Sequence, residues 1–110
     1  MTDLEQVEIQ IDMAHKLRKM RDNCVKLTAS KSWKDIIDEG YFKEEAARLV
    51  MAKSSNLSAE QMKLIDNMQY GIGALANYIE SVMRRGAEMD QAIGEHEETR
   101  EEILAEEVSV

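Results

Sequence analysis

Apolar residues recur at alternating steps of three and four through the second half of the chain. Counting in sevens from Ile65, one row runs Ile65, Ile72, Ile79, Gly86, Ile93, Arg100. The row three residues further on runs Met68, Leu75, Val82, Met89, His96, Ile103. Nine of these twelve positions are apolar, so the pattern is that of an amphipathic helix with a narrow seam for another helix. The pattern predicts one long C-terminal helix over about residues 58–107. Ser58-Ala-Glu-Gln61 forms a capping box at its start, with Leu57 and Met62 placed as a hydrophobic staple. Unbroken, it would span roughly 70 Å at about 1.5 Å per residue, more than the rest of a compact chain covers. The seam Ile65, Met68, Ile72, Leu75, Ile79, Val82, Met89 and Ile93 is therefore the expected surface for a partner or for another copy of the chain.

Glycines interrupt the seam. Gly71 and Gly73 each cost about 1 kcal/mol of helix propensity relative to alanine; they mark either a close backbone approach or a kink. Gly86, on the seam, and Gly94 are the places where the helix would bend or end.

Upstream, Thr2 caps a first helix over about residues 3–28. Its apolar residues are Leu4, Val7, Ile11 and Ala14, then Leu17, Met20, Cys24 and Leu27. A connector Thr28-Ala-Ser-Lys-Ser32 follows. Ser32-Trp-Lys-Asp35 resembles a second N-terminal cap, predicting a short helix at 33–39 closed by Gly40 and another at 43–53. Trp33, Ile36, Ile37, Tyr41, Phe42, Leu49 and Val50 include the only tryptophan and the only phenylalanine and are expected to form one compact core. The fold class is all-α, a helical bundle or hairpin, with residues 1–94 as one domain and 95–110 as an acidic helix end or flexible tail. A chain of 110 residues without proline suits this reading.

Charge is unevenly distributed. The net charge is −8, yet residues 15–53 carry ten bases against six acids. Residues 1–14 carry four acids and no base, and 95–110 carry seven glutamates against one arginine. Lys16, Arg18, Lys19, Arg21 and Lys26 make a candidate basic contact for nucleic acid, although no aromatic residue is interleaved for base stacking. The acidic end either solvates or docks on a basic surface of a larger assembly.

Candidate chemistry is sparse. Asp12 and His15, three apart, resemble half of a carboxylate-bridged metal site, but the only other histidine, His96, has no carboxylate three residues before it. These read as surface polar groups, with His96 either a polar device on the seam or part of a solvated helix end. Cys24 lies on an apolar face without a base beside it and reads as structural; a single cysteine excludes an internal disulfide and points to a reducing compartment. Gly71-Ile-Gly73 lacks the preceding strand of a phosphate loop. Met62, Met68, Met83 and Met89 read as core or as an adaptable partner surface. No metal, cofactor, catalytic residue or small-molecule substrate is expected, and the chain shows no apolar leader and no membrane-spanning run.

The stretch Ser32-Trp-Lys-Asp-Ile-Ile-Asp-Glu-Gly-Tyr-Phe-Lys-Glu-Glu-Ala-Ala-Arg-Leu-Val50, followed by a helical second half, resembles small all-helical proteins encoded by tailed bacteriophages. The resemblance extends over about residues 17–90. It implies a protein made in a bacterial cytoplasm, as a virion or assembly component. The expected function is thus that of a non-enzymatic structural or assembly protein, a homo-oligomer or part of a larger protein assembly. The alternative is a small regulatory module that binds nucleic acid through the Lys16 to Lys26 face or a host protein through its acidic ends.

Overall fold

The computed structural model describes residues 2–109, and every regular element among them is helical. Helix α1 covers Asp3–Ala29, α2 is the single turn Lys31–Trp33, α3 covers Ala46–Ala52 and α4 covers Ala59–Ser109. Between α2 and α3, Lys34–Glu45 forms a π-helix. The start signals act as the sequence implies. The Thr2 hydroxyl accepts from the backbone N–H of Glu5 at 3.1 Å. Ser58 and Gln61 cap reciprocally: Gln61 N–H donates to the Ser58 hydroxyl at 3.1 Å, and Ser58 N–H donates to the Gln61 carboxamide at 2.9 Å.

Three expectations change. The cap expected at Ser32 is supplied by Ser30, whose hydroxyl accepts from the N–H of Trp33 at 3.2 Å. Gly40 does not end a helix, because no glycine among the described residues takes the left-handed backbone that a closing turn requires. The two short middle helices instead join through the wider π turn. There Trp33 donates its indole N–H to Asp38 at 3.0 Å, a partner five residues on, which matches the i to i+5 spacing of that geometry. Finally, α4 does not stop at Gly71, Gly73, Gly86 or Gly94 and runs helically to Ser109, so of the two readings of the acidic end the helix end is the one seen over residues 95–109.

The described chain divides into two compact units. One unit is Met1–Val25 with Ser81–Val110; the other is Lys26–Glu80.

In the first unit α1 runs antiparallel to α4. His15 faces Glu97 at 3.8 Å, and Arg21 reaches Asp90 further down α4. Val7, Ile11, Ala14 and Cys24 of α1 and Ile93 of α4 are buried. Met20, expected on this face, is exposed instead, since it lies around the helix from Ala14 and Arg21. The helices approach closely at Gly86, where a Cβ would lie 2.1 Å from the Arg21 Cβ. The absence of a side chain there is what lets α1 approach.

In the second unit the middle helices also run antiparallel to α4. Tyr41 places its hydroxyl over Gly71, and Lys53 pairs with Asp66 at 2.6 Å. Leu49 and Ile65 are buried, while Trp33, Ile37, Tyr41 and Phe42 are half-buried and the last two rings lie 6.0 Å apart. Ile36 and Val50, expected in this core, are exposed, because the π segment and α3 turn those positions away from α4. Leu27, expected on the inner face of α1, is exposed as well.

Candidate association surface

Ile65 at the start of the seam and Ile93 near its end are buried by their own chain, so neither is available to a partner. This corrects the expectation that the whole seam requires outside cover: α1 and the middle helices supply much of it from within. Ile72, Leu75, Ile79, Val82 and Met89 are half-buried. Met68 departs from the pattern and is 44% exposed.

Met68 belongs to a second stripe, turned slightly around α4 from the first. Leu64, Met68, Gly71, Leu75 and Tyr78 follow one another at steps of four, three, four and three, so they share one helix face. Leu64 is 56% exposed and Tyr78 51% exposed. Gly71 keeps the middle of the stripe low, with only the Tyr41 hydroxyl standing over it. The close backbone approach expected at Gly71 and Gly73 is not seen: a Cβ on Gly71 would meet only the Tyr41 hydroxyl, at an ordinary 3.5 Å, and one on Gly73 would meet nothing within 4 Å. Leu64 and Tyr78 were legible as the row seven apart through Gly71, but the stronger isoleucine row beside them draws attention first.

The basic cluster is divided. Arg21 turns inward and donates from Nη1 and Nη2 to the two carboxylate oxygens of Asp90 at 2.9 and 3.0 Å, and from Nε to Asp22 at 2.9 Å. Arg18 Nε lies 3.0 Å from the same Asp90. These bonds, Asp90 foremost and then Asp22, raise the Arg21 guanidinium above its ordinary range. In turn Arg21, chiefly by its hydrogen bonds, holds the Asp90 carboxyl below the usual aspartate range. Only Lys16, Lys19 and Lys26 of the five remain as exposed cations on α1. Nothing in the sequence marks the pairing of Arg21 with a residue so far along the chain.

In the middle segment two ion pairs are local. Arg48 bonds Glu45 and lowers its carboxyl, and Lys43 is raised by its bond to Glu39 at 2.9 Å. Among the described residues no group of three or more His, Cys, Asp or Glu side chains is placed to hold a metal ion. No described helix is long and apolar enough to cross a membrane. Near the α1 start, Asp3, Gln6, Val7, Gln10, Thr99 and Ile103 line an open depression of about 430 Å³. No protein-family model, curated protein or solved structure matches the chain.

Proposed function

We propose that this chain is a non-enzymatic helical assembly protein that associates, with copies of itself or with a larger protein assembly, through the open stripe Leu64, Met68, Leu75 and Tyr78 of α4. One observation supports this reading. A regular apolar stripe, continuous with the half-buried seam beside it, stays in water at Leu64, Met68 and Tyr78. Fully burying an exposed side chain of this kind contributes about 1.5 to 3 kcal/mol, and these are about half covered already, so a matching helix has roughly half of that to gain at each. The resemblance of Ser32–Val50 to tailed-phage proteins supports placing the assembly in a virion or in its construction.

Sedimentation of the full chain across a wide concentration range tests the reading. The expected result is a mass above that of one chain, which falls when Leu64→Glu and Tyr78→Glu are combined while circular dichroism stays helical. A single-chain mass throughout would overturn it. Mass spectrometry of purified phage particles tests the virion placement.

A further inference from the structure

The outer face of α1 carries a second, less regular heptad. Ile9, Met13, Met20 and Leu27 are all exposed, by 45% at Ile9 and 61% at Met13. With Lys16 and Asn23 they follow at steps of four and three, as the seam of a helix pair does. The row immediately before Met13, Met20 and Leu27 is Asp12, Lys19 and Lys26, with Glu5 one turn of the repeat earlier. It reads acid, acid, base, base at intervals of seven, and all four are exposed.

We infer that this face pairs antiparallel with the same face of a second copy. The charges decide the orientation. In an antiparallel pair related by a two-fold axis, a flanking row meets its own counterpart running backwards. Glu5 then faces the partner's Lys26 and Asp12 faces the partner's Lys19, and both pairs repeat across the axis. In a parallel pair the same row would face Gln10, Leu17 and Cys24, none of which carries a complementary charge.

Register follows from the same row. With Asp12 on the partner's Lys19, Met20 lies on the partner's Ile9, and Met13 meets the aliphatic stem of the partner's Lys16. Slipping by one repeat sets Asp12 against Asp12 or Lys19 against Lys19, and like charges oppose that arrangement. The contact rests on the reading of an associating chain but is separate from the α4 stripe. Each chain would then present two faces, enough to extend an assembly beyond a pair.

The test uses two variants of the full chain, Lys19→Glu with Lys26→Glu and Glu5→Lys with Asp12→Lys. Each makes the row one sign. Sedimentation is expected to show each variant alone losing mass relative to the wild type at equal concentration. An equimolar mixture should regain it, because the two rows are then complementary. Circular dichroism of each variant confirms that the helices persist, and the mixture separates lost pairing from lost folding. Undiminished mass in both variants would overturn the pairing while leaving the α4 reading intact if Leu64→Glu with Tyr78→Glu still lowers it. Lost mass that mixing does not restore would overturn it too. So would loss of low-salt DNA retention in the lysine variant with its mass unchanged, which would make nucleic acid the occupant of this face.

Discussion

Arg21 and Asp90, 69 positions apart in sequence, meet as a two-bond fork one turn along α4 from Gly86, where α1 approaches closely. The fork and the missing side chain of Gly86 depend on each other. Without a Cβ at residue 86, the Arg21 stem can lie flat against α4, and from there its guanidinium reaches one turn along to Asp90. The pair therefore fixes the register of the hairpin more than it adds to its stability, since partly exposed ion pairs contribute little.

Acid should release this lock. The Asp90 carboxyl is lowered in the folded chain, so its contribution is present above the ordinary aspartate range, near pH 4, and is lost as pH falls through the lower folded value. Glu45, lowered by Arg48, adds to stability with the same sign. In urea titrations from pH 7 to pH 2, the wild type is expected to lose its advantage over Asp90→Asn only below about pH 4. An advantage that grew on acidification would contradict the pairing.

Gly86→Ala should destabilise the chain. Its new methyl would lie 2.1 Å from the Arg21 Cβ and 3.3 Å from the Leu17 carbonyl oxygen, so the two helices must part. Such overpacking costs about 1 to 3 kcal/mol, against a gain of about 1 kcal/mol in helix propensity. Gly73→Ala and Gly94→Ala, where a methyl meets nothing within 4 Å, should instead each stabilise by up to about 1 kcal/mol. Chemical denaturation of the three variants reads the opposite signs directly.

Removing the α4 cap should be felt locally. Ser58→Ala deletes the acceptor for the Gln61 N–H and is expected to cost about 1 kcal/mol. Amide exchange should rise most at the first turn of α4, and an unchanged exchange rate there would show the box to be dispensable.

The π turn has its own probe in Trp33. Asp38→Ala removes the acceptor of a half-buried indole N–H and is expected to cost about 1 kcal/mol. A shift in tryptophan emission should accompany it. Retained emission and stability would mean that the backbone alone holds the wide turn.

Much of this molecule is local in origin and was readable from the chain. Thr2 and the Ser58–Gln61 box set the beginnings of α1 and α4 because a cap needs only residues within one turn. The inward direction of Ile65 and Ile93 follows from periodicity, which a helix converts into a face. Tertiary structure decided what covers those faces. Gly86 looked like a break and is a contact, because its role depends on Arg21 arriving from another helix. Arg18 and Arg21 looked like part of a basic contact for nucleic acid and turn to Asp90 instead, because Asp90 lies within their reach only after the hairpin closes. Gly40 looked like a stop and lies inside a π-helix. A glycine permits the left-handed closing turn without requiring it, and the chain on both sides goes on winding.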